Sequence, residues 1–201
     1  MCFVRRRNCR LRGHSLSRFT ITDLPILGLK LIEHQRLGDS RGFLSRLFCA
    51  EELAFAGWSK PIAQINFTYT TQRGTVRGLH YQQPPHAEMK LVTCLQGEIW
   101  DVAVDLRHDS PTFLQWQAEN LSESNCKAML IPEGFAHGFQ ALTDNVQLLY
   151  CHSEAHNQES EAALNLQDPR LAINWPLAIT ELSIRDVKHP LIDTNYEGVR
   201  L

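Results

Sequence analysis

Between residues 64 and 70 the chain alternates strictly. Gln64, Asn66 and Thr68 take the polar positions, and Ile65, Phe67 and Tyr69 the apolar ones. A period of two places the two sets on opposite faces of a β-strand. Lys90 to Leu95 is a second run, and Gln96-Gly97 marks a tight turn. Glu98 to Leu106 alternates again, with Trp100, Val102, Val104 and Leu106 on one face and Ile99, Asp101, Ala103 and Asp105 on the other. Phe113 to Leu121, Ala128 to Ile131, His137 to Leu142 and Val146 to His152 continue the series. Turn signals recur at Asp109-Ser110-Pro111, Pro132-Glu133-Gly134 and Thr143-Asp144-Asn145. Many short strands at close spacing predict an all-β antiparallel barrel or sandwich, the jelly roll included. Two short helical stretches flank it, at Glu51 to Ala56 and around Ile184 to Val187.

The length of 201 residues suits one domain with a sizeable core. The first 18 residues carry six arginines and no acidic residue. They lack the apolar stretch of a secretory signal and read as a disordered basic extension, so that 19–201 forms the domain. A net charge of -2 argues against a general nucleic-acid surface. No apolar run is long enough to span a bilayer as a helix. The six cysteines contain no CxxC pair. They read as free thiols, which fits the cytoplasm better than an oxidising compartment.

Two segments carry candidate chemistry. One is Arg73-Gly-Thr-Val-Arg77-Gly-Leu-His80-Tyr, with Lys90 ten residues beyond the histidine. The other is Ile131-Pro-Glu-Gly-Phe-Ala-His137-Gly-Phe, which has the PxGxxH spacing of cupin barrels. In many cupins that histidine binds metal together with an earlier HxH pair. Here His80 is followed by Tyr81 and Gln82, so no metal site is expected. A His, a Lys and a Tyr on neighbouring strands suit another reaction. A base removes a proton beside a ketone, a cation holds the enolate oxygen, and an acid across the pocket returns the proton to the opposite face.

Together with Gly38-Asp-Ser-Arg41-Gly-Phe43, Gly97-Glu-Ile-Trp-Asp101-Val-Ala-Val-Asp105, Leu149-Tyr150 and Glu181-Leu-Ser-Ile-Arg-Asp186, these segments resemble the dTDP-4-dehydrorhamnose 3,5-epimerase family over roughly residues 20 to 193. The resemblance implies a cupin-type jelly-roll barrel, and a homodimer that uses no metal and no cofactor. It also implies a nucleotide-linked 4-keto-6-deoxyhexose as substrate, with inversion at C3, C5 or both. By the same resemblance His80 is the base, Asp186 orients it, Lys90 faces the keto oxygen and Tyr150 donates the proton. Arg77 and Arg41 hold the diphosphate, Arg41 from the partner subunit. Gln64, Asn66, His137, Glu161 and Arg185 line the site.

Two departures fall at the nucleobase end. Arg46 stands where the family has a glutamate, and His156 where it has a tyrosine stacked on thymine. They predict weaker discrimination for thymine and leave a CDP-, GDP- or UDP-linked sugar open. Other functions compete: a cupin ketoisomerase of sugar nucleotides, a non-catalytic sugar-nucleotide binder and a metal-dependent oxygenase. Tyr150 counts against the first, the retained His80 and Asp186 against the second, and the missing HxH against the third.

Overall fold

The computed structural model describes residues 17–201. Cys2, Cys9 and nearly all of the basic extension lie outside that range. The strands are β1 (Phe19–Asp23), β2 (Lys30–His34), β3 (Arg36–Asp39), β4 (Gly42–Ser45), β5 (Gln64–Thr70), β6 (Val76–Gln82), β7 (Lys90–Gln96), β8 (Glu98–Asp105), β9 (Trp116–Ser122), β10 (Lys127–Ile131), β11 (Phe135–Ala141), β12 (Val146–His152) and β13 (Glu161–Ala163). Helix α1 (Ala50–Leu53) runs into a 3-10 turn, and α2 (Ile184–Val187) is a single turn near the C-terminus.

A six-stranded sheet in the order β1-β2-β10-β7-β12-β5 packs on a five-stranded sheet in the order β13-β6-β11-β8-β9, and every pairing within them is antiparallel. This is the expected all-β jelly roll with short flanking helices. The β3–β4 hairpin belongs to neither large sheet.

Three apolar layers hold the domain. The central layer lies between the sheets and contains Val92, Ile99, Ala103, Met129, Phe139 and Leu148. On one outer side Leu53, Ala56 and Trp58 cover Leu91, Ala128 and Leu130. On the other, Leu164, Leu166, Leu171 and Val199 cover Val102, Val104 and Leu106. Each fully buried large aliphatic or aromatic side chain contributes about 1.5–3 kcal/mol. Because the C-terminal tail covers the second sheet, both faces of β8 are buried, which explains why its two residue sets are both largely apolar.

Strand β5 behaves differently. It lies at a sheet edge, with Gln64, Asn66 and Thr68 turned toward the cleft and Ile65, Phe67 and Tyr69 exposed at 58%, 59% and 47%. The strand expected from Phe113 starts later, at Trp116. Leu114 has a left-handed φ of 62°, and its N–H donates to the Asp105 carbonyl at 2.8 Å, so 113–115 form a turn. The strand expected from His137 starts earlier, at Phe135.

Candidate active site

A cleft of about 440 Å³ opens on the sandwich and is walled by β5, β6, β7, β11, β12, β13 and the α2 segment. Of the thirteen candidate residues, eleven line it: Gln64, Asn66, Arg77, His80, Lys90, His137, Tyr150, His156, Glu161, Arg185 and Asp186.

His80 sits on β6. Gly78, two residues before it, has a φ of 135°, and a Cβ there would meet the Cα of Gly138 at 2.5 Å. That contact allows β6 and β11 to approach closely, and the β6–β11 register shifts between His137 and Phe139. Only glycine meets both demands. His80 Nε2 lies 2.8 Å from Asp186 Oδ1. Asp186 is buried on α2, where the Ser183 hydroxyl accepts its N–H at 3.0 Å as an N-cap. Burial works to raise the Asp186 carboxyl. The hydrogen bond and charge of His80, with Ser183 behind them, outweigh it and hold the carboxyl below its ordinary range. An ionised Asp186 accepts the Nε2 proton of His80 and leaves Nδ1 as the basic nitrogen of the neutral ring.

Lys90 opens β7. Its ammonium donates to the His80 carbonyl at 3.2 Å and pairs with Glu88 at 3.1 Å. Glu88 also meets His152 Nδ1 at 2.7 Å. Burial raises the Glu88 carboxyl, but His152 and Lys90 bring it below the ordinary value. Tyr150, on β12, is buried and sits edge-on to His137 with ring centroids 5.9 Å apart. Burial first, and the charge of Asp101 second, push its phenol far above the usual range, so it stays protonated. His137 Nε2 is 2.7 Å from Asp101 Oδ1, in a fully buried pair whose carboxyl is raised by burial.

At the outer end His156 and Arg185 both pair with Glu161, the former at 3.3 Å. The His156 N–H also donates to Gln64 at 3.0 Å. Arg77 donates to the Thr70 hydroxyl at 3.1 Å.

Two candidates are not brought into this cleft. Arg41 lies at the β3–β4 turn, 87% exposed and paired with Asp39 at 2.6 Å. Arg46 pairs with Glu52 outside the cleft. Conversely, Glu88 and His152 line the cleft and were not singled out by sequence reasoning. The available signal was period two: Glu88 stands two residues before Lys90, and His152 two after Tyr150.

A buried carboxylate behind a histidine, a lysine beside it and a protonated phenol in one cleft can move a proton at a carbon next to a carbonyl. Comparison with known proteins agrees. The sequence profile of dTDP-4-dehydrorhamnose 3,5-epimerase matches residues 23–194. The dTDP-4-dehydrorhamnose 3,5-epimerase of Sinorhizobium fredii is 37% identical over 179 residues, covering 89% of this chain and 92% of that protein. The crystal structure of a dTDP-6-deoxy-D-glucose-3,5-epimerase from Legionella pneumophila, in complex with dTDP-4-keto-L-rhamnose, superposes with a TM-score of 0.84 at 39% identity, covering 91% of this chain and 98% of that one. A 3'-monoepimerase from Streptomyces bikiniensis, in complex with dTDP-quinovose, gives 0.78 at 34% identity, with coverage of 84% and 85%. With most of its length matched at this identity, the chain belongs to the dTDP-4-dehydrorhamnose 3,5-epimerase family.

Proposed function

We propose that this protein is an isomerase that inverts carbon centres flanking the 4-keto group of a dTDP-linked 6-deoxyhexose, without a metal. The observation that carries the reading is the arrangement of His80, Lys90 and Tyr150 in one cleft, with Asp186 buried behind His80. His80 removes the proton beside the ketone. The electron pair moves into the carbonyl, and Lys90 stabilises the enolate oxygen. Tyr150 then protonates the carbon from the other face, and the enolate collapses to the ketone. Asp186 supports the imidazolium between these steps. Arg77 binds the diphosphate, since a guanidinium suits bidentate phosphate contacts. Gln64, Asn66, His137, His156, Glu161 and Arg185 shape the rest of the sugar-nucleotide site.

The active form is a homodimer. Ile65, Phe67 and Tyr69 make an apolar row along an edge strand, which a second copy covers. Phe43 and Leu44 are exposed on the hairpin that carries Arg41, and Arg41 reaches the partner's diphosphate from there. The enzyme is cytoplasmic. Cys49, Cys94, Cys126 and Cys151 are free thiols, which supports a reducing compartment. Among the described residues no helix is long and apolar enough to cross a membrane.

The test is incubation with dTDP- and CDP-linked 4-keto-6-deoxyglucose in deuterated water, followed by NMR. Deuterium at C3, C5 or both of the dTDP sugar, with inversion, supports the reading. Faster exchange on the CDP sugar moves the specificity to cytosine, where His156, the departure that lines the cleft, would be responsible. Migration of the keto group replaces epimerisation with ketoisomerisation.

A further inference from the structure

His189 follows α2 by two residues, and nothing above assigns it a role. Its backbone carbonyl accepts from Asn165 at 2.8 Å, which ties the segment to the domain. Its ring stands 6.5 Å from that of His80, at 73° between planes. Its Nε2 is buried without a hydrogen-bond partner. Such a nitrogen is uncommon in a folded protein and calls for an explanation. Among the described residues, His80, Asp186 and His189 form the one group whose donor atoms all lie within 4.8 Å of one another.

From this geometry we propose that His80, Asp186 and His189 bind one divalent transition-metal ion of the zinc type, and that the bound ion switches the base off. Two imidazoles and a carboxylate are borderline donors that suit such ions and not magnesium or calcium. Three protein ligands leave a fourth position for water. In a tetrahedral site with bonds of about 2.0–2.1 Å, donor atoms stand about 3.3 Å apart, so the group needs to contract by at most about 1.5 Å. The His80 side chain is 35% exposed, which gives an ion a way in from the cleft.

Coordination replaces the hydrogen bond between His80 Nε2 and Asp186. The Nε2 lone pair forms the metal bond, and the proton it carried is exchanged through solvent onto Nδ1, with no net proton release and no redox change. A neutral imidazole keeps one N–H, which must then sit on Nδ1. The nitrogen that serves as the base thereby loses its free lone pair. This inhibitory consequence rests on His80 being the base; the binding does not.

Chelator-treated protein is titrated with zinc chloride by calorimetry, with magnesium chloride as control, for the native chain and for His189→Gln. The expected result is one zinc ion per chain, no comparable magnesium binding, and zinc affinity at least about tenfold lower in the variant, since loss of even an outer-sphere partner costs about 10- to 100-fold. Zinc binding that is equal in both proteins, or absent from the native chain, overturns the site. If His189→Gln does not fold, long-range 1H–15N spectra of the native imidazoles decide instead. Signals of both His80 and His189 shift with one equivalent of zinc if the site exists, and an unshifted His189 overturns it. Deuterium exchange on the sugar nucleotide is measured in parallel. Zinc blocks it in the native enzyme, EDTA restores it, and His189→Gln resists the block. His189-dependent binding with undiminished exchange leaves the site standing and removes His80 as the base.

Discussion

His80 Nε2 and Asp186 Oδ1 stand 2.8 Å apart, although 106 positions separate the two residues in the chain. The tail that follows the last strand returns across β6, and one capped helical turn delivers the carboxylate. In the proposed mechanism the base is thus oriented by a segment that contributes nothing to the two main sheets.

Replacing either partner should separate chemistry from binding. His80→Ala is expected to lose deuterium wash-in at the sugar carbons by about 10²–10⁴-fold while nucleotide binding stays nearly intact. Asp186→Asn removes the negative charge that stabilises the imidazolium and should also slow exchange. Wash-in at the native rate in His80→Ala would remove the residue from the role of base.

Tyr150→Phe distinguishes removal of the proton from its delivery. The variant keeps the buried ring and loses only the hydroxyl. Deuterium should still enter at the carbon through His80, with retention of configuration, while the inverted product disappears. Stereochemical analysis by NMR reads both. Inversion at the native rate would mean that another group delivers the proton.

Subunit contacts can be tested on the outer row of β5. Phe67→Asp places a charge in the middle of the exposed apolar row and should convert a dimer into monomers in light scattering. Arg41→Ala should leave the dimer intact and raise KM for the sugar nucleotide more than it lowers kcat. A monomeric, fully active native protein would contradict the assembly.

Asp105 provides a pH prediction unconnected with catalysis. Its side chain is fully buried and accepts from Arg107 at 2.7 Å, Ser110 at 2.6 Å and Thr112 at 2.6 Å. Burial raises its carboxyl, and these hydrogen bonds together bring it below the ordinary value. A carboxyl depressed in the folded state stabilises the protein above its unfolded value, near 3.9, and loses that contribution as pH falls through the folded value. Asp105→Asn should therefore cost about 3–5 kcal/mol at neutral pH, the usual range for breaking a buried pair. The gap between variant and native chain should narrow below about pH 4. Urea unfolding at both pH values measures it, and a gap independent of pH would show that the charge of Asp105 is not what stabilises the fold.

The sequence by itself determined the class of fold. Strand β5 follows from alternation, and β10 and β12 from short apolar runs bounded by turn residues, because both signals are local properties of the chain. Most of the cleft was legible too, because its residues sit in long ordered motifs shared with a family. Only the tertiary structure decided which face of β5 turns inward. Alternation separates Gln64, Asn66 and Thr68 from Ile65, Phe67 and Tyr69, and cannot say that the polar row lines a cleft while the apolar row faces out. The β3–β4 hairpin, with Leu37 and Phe43 beside glycines and charges, has no period to read. Glu88 and His152 stand at period two from Lys90 and Tyr150, but they and His189 acquire their partners only in the folded chain. Their environment is set by contacts between distant parts of the chain, and no local pattern encodes those contacts.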